Sequence, residues 1–281
     1  GVFCHEFSHC MGLPDMYDTN YSNTPTMGDW DLLASGSYNG PNGIGWCPAG
    51  WTSYERAYAG WLDIEELKAG DIITGMKDLE DYEGKAYAIY NDNHRDEFYL
   101  LENHKNRRWD AYTPEGGLLV IHVDYDKALF DNNIVNSKGT FTPAQGYDGI
   151  YTNDHPRMAP FSKIRSVTNE TYYYTYPMEA PRGVLDSLTN VSKPAATLYN
   201  ALADGSTLMG KPIYNIKKDV ETGDISFSFM TKDTGAETAV REIPYTEDSF
   251  SAEDNVYDLT GKLVGKRAGS LKPGIYIIGN K

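Results

Sequence analysis

The order of apolar and polar positions changes character twice along the chain. Residues 1–12, GVFCHEFSHCMG, read as a short helix, with His5 and His9 returning to one face after one turn. Residues 13–51 then lose all periodicity and are rich in Gly, Ser, Asn and Pro. A loop of that length inside a compact domain is usually functional. Thr52–Ser53–Tyr54–Glu55 forms a capping-box pattern that predicts a helix running to about Trp61. Tyr54, Tyr58 and Trp61 fall at i, i+4 and i+7, an apolar stripe expected to pack in the core against the first helix rather than line a groove.

From about residue 70 the texture is that of strands: KAYAIYN (85–91), EFYLLEN (97–103), GLLVIHVDY (117–125) and DISFSFM (224–230), separated by glycine or charged clusters. His122 alternates with apolar neighbours and reads as a solvent-facing or hydrogen-bonded strand residue, while His94, His104 and His155 sit in loops without ligand spacing. KDTGAETAVREIPYTEDS (232–249) is a polar linker, and residues 255–281 form a compact strand–turn–strand pattern. The fold class is therefore α+β: a helix–long loop–helix part at 1–62, an antiparallel, sandwich-like β module at 63–231, a linker at 232–249 and a short β tail at 250–281.

With 281 residues the chain can bury a sizeable core, as one large domain or two smaller ones. Its 40 Asp and Glu against 25 Lys and Arg leave a net charge of −15 and no basic patch, which argues against nucleic-acid or anionic-membrane partners. No stretch is long and apolar enough to predict a membrane span. Cys4 and Cys10 lie on different faces of one short helix, and Cys47 could pair with either. With an odd count of three, buried or free thiols are expected.

The chemistry concentrates in HEFSHCMGLPDMYD (5–18). Two histidines one helical turn apart can reach a single ion, and Glu6 beside them can act as a general base without ligating. Gly12 stands where the helix must stop and turn, and Pro14 prevents it from resuming. The turn carries Asp15 back toward the metal, extending the pattern to HExxHxxGxxD. Asp15 is the expected third ligand. Asp18 and Glu55 remain open as alternatives, with Asp18 better suited to bracing the loop through backbone N–H groups. The oxygen-rich stretches NDNHRDE (91–97) and DYDKALFDNN (124–133) admit structural Ca²⁺, although neither has EF-hand spacing.

These residues resemble the active-site segment of the M6 peptidases, the immune inhibitor A-like metalloproteases of the metzincin type. The resemblance continues through GDWDLLASGSYNG (28–40), SYERAYAGWL (53–62), FYLLENHKNRRWDAYTPEGGLLVIHVDYD (98–126) and NNIVN (132–136), to about residue 231. It implies a secreted zinc endopeptidase acting on proteins or peptides, with Zn²⁺ on His5, His9 and Asp15, and Glu6 as the base for a metal-activated water. It also implies a twisted sheet and a helix upstream of the zinc helix. Gly1 opens within that helix without a cap, so the chain reads as a fragment of the catalytic domain. Where metzincins place a methionine in a turn beneath the metal, this chain has Leu33, close enough in volume to fill the floor. Tyr38, five residues on, is a candidate donor to the oxyanion. The tail elements YDLTGKLV and LKPGIYII resemble the C-terminal sorting tails of Bacteroidetes-type exported proteins, implying a secreted or cell-surface location and secretion machinery as a partner. Two rival readings are a surface-attached scaffold with a degenerate protease domain, supported by Leu33, and a zinc hydrolase of non-peptide substrates.

Overall fold

A computed structural model describes residues 1–142, 148–161, 163–166, 171–180, 183–232, 255–257, 262–266 and 277–279. It divides into two compact units, Gly1–Thr234 and Gly235–Lys281. The first begins with α1 (Val2–Cys10), a long segment held by 3-10 turns, and α2 (Ser53–Tyr58). Strands β1 (Ile64–Glu66), β2 (Ile72–Met76), β3 (Ala86–Tyr90), β4 (Glu97–His104) and β5 (Gly117–Asp124) follow, then α3 (Lys127–Asp131). After α3 come the ribbon β6 (Gly139–Phe141) and β7 (Tyr151–Asn153), then β8 (Met158–Pro160). Two further ribbons, β9 (Lys163–Ser166) with β10 (Thr171–Tyr173) and β12 (Met178–Ala180) with β13 (Gly183–Leu185), flank β11 (Thr175–Tyr176). Strands β14 (Ile213–Lys218) and β15 (Ile225–Phe229) close the unit.

The main sheet has the order β1-β3-β4-β5-β11, with β8 also pairing on β5. It is mixed rather than purely antiparallel, because β1 runs parallel to β3. A second sheet, β14-β15-β2, is antiparallel. All eight positions of β5 are buried, so its two faces serve two cores. Leu118 and Val120 pack with Tyr99, Leu101, Phe227 and Phe229 of the second sheet's core. Leu119, Ile121 and Val123 pack with Leu13, Met16, Trp30, Leu33 and Phe130. Strands covered on both faces lose the in–out alternation of a half-exposed sheet. The expected parts 1–62 and 63–231 therefore lie within one unit and share a core across the sheet.

Helix α2 ends at Tyr58, short of Trp61, because Gly60 takes a left-handed φ of 72°. The Gly60 amide donates to Ala57 and the Trp61 amide to Arg56, which is the Schellman ending. The aromatic stripe is split as a result. Tyr54 packs on Phe130 at 5.6 Å, but Tyr58 and Trp61 are exposed. Trp61 stacks on Trp51 at 4.8 Å and lines an apolar groove with Phe3 and Phe7 of α1. This corrects the expectation that the whole stripe belongs to the core.

In the second unit β16 (Asn255–Tyr257) lies between β17 (Leu263–Lys266) and β18 (Ile277–Gly279), all antiparallel, with Val256 buried. Beyond Lys232 the expected linker lies outside the described residues. All three cysteines are free thiols. Among the described residues no helix is long and apolar enough to cross a membrane.

Candidate metal centre

Helix α1 carries the two histidines, and its ending delivers the third group. The Gly12 amide donates to His9 and the Leu13 amide to Ser8, with Gly12 at φ 92°. This is the same ending as that of α2. It is the positive φ that selects glycine here, since the atom nearest an added Cβ, the Tyr58 hydroxyl at 2.6 Å, is the tip of an exposed side chain that can move aside. The turn then brings Asp15 over the helix.

His5 Nε2, His9 Nε2 and Asp15 Oδ1 converge. The His5–Asp15 distance is 3.1 Å, His9–Asp15 is 3.2 Å and His5–His9 is 3.2 Å. Two atoms each about 2.0–2.1 Å from a tetrahedral zinc lie about 3.3 Å apart, so the triangle has the size of one face of such a site. Each imidazole is held from behind: His5 Nδ1 donates to the Leu32 carbonyl and His9 Nδ1 to the Leu13 carbonyl, both at 2.8 Å. A carbonyl only accepts, so each Nδ1 carries a proton and each Nε2 is the nitrogen left to ligate. Two ring nitrogens and one carboxylate oxygen face one another. Asp15 Oδ1 is buried without a hydrogen-bond partner. That arrangement suits a cation, and His5, His9 and Asp15 are the one cluster of His, Cys, Asp or Glu with metal-ligand geometry among the described residues.

The other Asp15 oxygen is engaged. Asn133 Nδ2 donates to Asp15 Oδ2, and the Asp15 amide donates to Asn133 Oδ1, both at 2.6 Å. The turn at residues 31–34, closed by the Ala34 amide on the Asp31 carbonyl, supports the site from below. Leu33 within it is fully buried beside Leu13 and Met16, and its carbonyl accepts from the Met16 amide. Glu6 follows His5 on α1 and is exposed.

The structure separates the remaining candidates from this cluster. Asp18 accepts from Ser22 Oγ at 3.0 Å and from the amides of Asn20 and Thr24, as a loop brace does. Glu55 is fully buried and accepts from the Thr52 amide at 2.7 Å and from the Thr52 hydroxyl, completing the capping box. Tyr38 is exposed, and no hydrogen bond joins its phenol to the three groups among the described residues. Tyr17, which the sequence does not single out, stands nearer: its ring stacks 6.4 Å from that of His5. Burial and the Asp15 carboxylate raise its phenol above the usual value. The oxygen-rich loops serve protein partners. Asn91 bonds Glu97, Asp126 caps α3, and Asp124 takes Arg157 and His155.

Beneath the site lies a buried ionisable cluster that sequence periodicity does not reveal. Burial, reinforced by the neighbouring Glu55, holds the Asp31 carboxyl well above the carboxylate range. Burial also raises Glu55. His104, expected in a loop, ends β4 and lies 2.8 Å from both Glu102 and Asp110. Burial alone would lower its imidazole, but the two carboxylates, Asp110 first, raise it to about 10. His122, expected as a solvent-facing or hydrogen-bonded strand residue, is buried and bonds Glu97 at 2.8 Å.

Residues 1–61 match the family described as immune inhibitor A peptidase M6, catalytic domain. Two curated relatives are also similar, both the pre-pro-metalloprotease PrtV of Vibrio cholerae serotype O1, from strains M66-2 and ATCC 39315 / El Tor Inaba N16961. Each is 33% identical over 79 residues, which is 26% of this chain and 8% of the relative. No solved structure matches. Both likenesses point to a metalloprotease, a class whose chemistry depends on a bound metal.

Proposed function

We propose that the chain carries the centre of a zinc-dependent endopeptidase that hydrolyses peptide bonds in proteins. The observation that supports this most directly is the meeting of three lone-pair atoms at 3.1–3.2 Å, one of them a buried carboxylate oxygen without a hydrogen-bond partner. His5, His9 and Asp15 would hold the zinc, which when bound would supply a Lewis acid for the scissile carbonyl and would acidify a water toward neutrality.

The rest falls to the chain's own groups. The Leu32 and Leu13 carbonyls accept from Nδ1 of each imidazole and so aim each Nε2 at the Asp15 oxygen. Glu6, exposed beside the ligands, takes the proton of the attacking water and returns it to the leaving amine. Tyr17, against the His5 ring, is the phenol best placed to donate to the developing oxyanion. A cavity of 330 Å³ bordered by His9, Leu13, Phe130 and Asp131 offers room for a substrate side chain. The YDLTGKLV and LKPGIYII elements support export to the cell surface or beyond through a tail-reading bacterial secretion system.

Elemental analysis and casein cleavage of the full-length protein and its Glu6→Gln variant test this reading. Both are expected to hold about one zinc per chain. Turnover is expected to fall about 10²- to 10⁴-fold in the variant. A protein without zinc, or a Glu6→Gln enzyme cleaving at the parent rate, contradicts it.

A further inference from the structure

All three α-helices described in the first unit end in the same motif. Beyond α1 the left-handed position is Gly12, and beyond α2 it is Gly60. Beyond α3 it is Asn133, at φ 58°. There the Asn133 amide donates to the Phe130 carbonyl and the Ile134 amide to Leu129. Glycine is the usual residue at this position because it adopts positive φ without penalty, and asparagine is the next most tolerated. Capping alone therefore does not call for a carboxamide at residue 133.

The carboxamide has another occupation. It sits 118 residues downstream of Asp15 and meets that residue twice, with Oδ1 on the Asp15 amide and Nδ2 on Asp15 Oδ2. Each partner fixes one end of the amide, since the peptide N–H requires the oxygen and the carboxylate requires the nitrogen. One carboxylate oxygen is thus held in a hydrogen bond, and the other, Oδ1, lies 3.1 and 3.2 Å from the two histidine nitrogens. The Asn133 carbonyl in turn accepts from the Thr19 hydroxyl at 3.3 Å, tying the same residue to the loop beyond the ligand.

We infer that Asn133 is the positioning residue for the third metal ligand, holding Asp15 so that it binds through one oxygen and leaves a coordination position open. The inference rests on the proposed zinc site. Partners that orient a ligand in this way typically contribute about 10- to 100-fold in metal affinity.

Asn133→Gly separates positioning from capping, because glycine keeps the helix ending and removes only the carboxamide. Asn133→Asp is the isosteric control. It retains an acceptor for the Asp15 amide but sets an oxygen against Asp15 Oδ2 in place of the donor. Zinc affinity is measured by chelator competition on the full-length protein, with thermal unfolding of the metal-free protein alongside. Both variants are expected to bind zinc about 10- to 100-fold more weakly, with metal-free Asn133→Gly still folded and unfolding in one cooperative transition at a slightly lower midpoint. Parent-like affinity in Asn133→Gly overturns the inference. So does a loss of affinity accompanied by unfolding of the metal-free glycine variant, which would make the residue purely structural. A parent protein that holds no zinc overturns the zinc site itself, an outcome distinct from both.

Discussion

Two histidine–carboxylate clusters lie on the same side of the molecule's central sheet, and they do opposite things with the same side chains. At His5, His9 and Asp15 each Nδ1 proton goes to a backbone carbonyl, and both Nε2 atoms face one carboxylate oxygen. At His104 both ring nitrogens face carboxylates, Glu102 and Asp110, each at 2.8 Å. The first cluster turns two ring nitrogens and one oxygen onto a single point, whereas in the second the two carboxylates raise the imidazole to about 10. For the proposed metal site, what separates a ligand set from a buried ion pair is the partner of the second ring nitrogen, not the residue types.

The contrast breaks most severely at Asp15. Asp15→Ala is expected to take zinc from about one ion per chain to none by elemental analysis; zinc retained in full would remove Asp15 from the ligand set. The second cluster should respond in stability rather than metal content. His104→Ala strands two buried carboxylates, and urea denaturation should show a loss of about 3–5 kcal/mol with the zinc count unchanged. The same residue has a pH signature. Its contribution is fully present below about pH 6.5, the ordinary imidazole value, and is lost as pH rises through about 10, because over that range the folded protein keeps a proton that the unfolded chain has released. Asp31 and Glu55, raised by burial, add a slope of the same sign. Urea midpoints of the metal-free protein should therefore fall toward high pH, less steeply in His104→Ala; equal slopes would remove His104 from the account. The smallest effect belongs to the turn beneath the metal. Leu33→Met conserves volume in a packed site and should change stability by less than about 1.5 kcal/mol, with zinc and casein cleavage retained. A marked loss of either would mean that the floor's shape controls the centre.

Local spacing made the first cluster legible. Four residues of helix align His5 with His9, and one glycine turn returns Asp15, all within eleven residues. The strands at 85–91, 97–103, 117–125 and 224–230 were equally readable, since β-branched and aromatic runs bounded by turns carry their own signal. Two features were not. The second cluster joins residues from the loop, α2, β4 and the turn after it, and no sequence period links Asp31, Glu55, Glu102 and Asp110. Asn133 stood in view within NNIVN, but only the fold shows what it touches. An asparagine pair closing a short apolar helix is the one local hint that a left-handed residue with a functional side chain stands there. Trp61 shows the reverse error: helical spacing suggested core, and Gly60 ended the helix one turn too early for that.

The separation between Asp15 and Asn133 also sets an order of assembly. During synthesis His5, Glu6, His9 and Asp15 emerge together, long before residue 133 exists. Their clamp forms only after β3, β4, β5 and α3 have been made, when a 118-residue loop closes. A nascent or truncated chain that stops short of α3 thus displays the whole ligand motif without the grip that completes it. On the proposed zinc site and its Asn133 clamp, metal capture at full strength is a late event, tied to the folding of the central sheet rather than to the appearance of the motif.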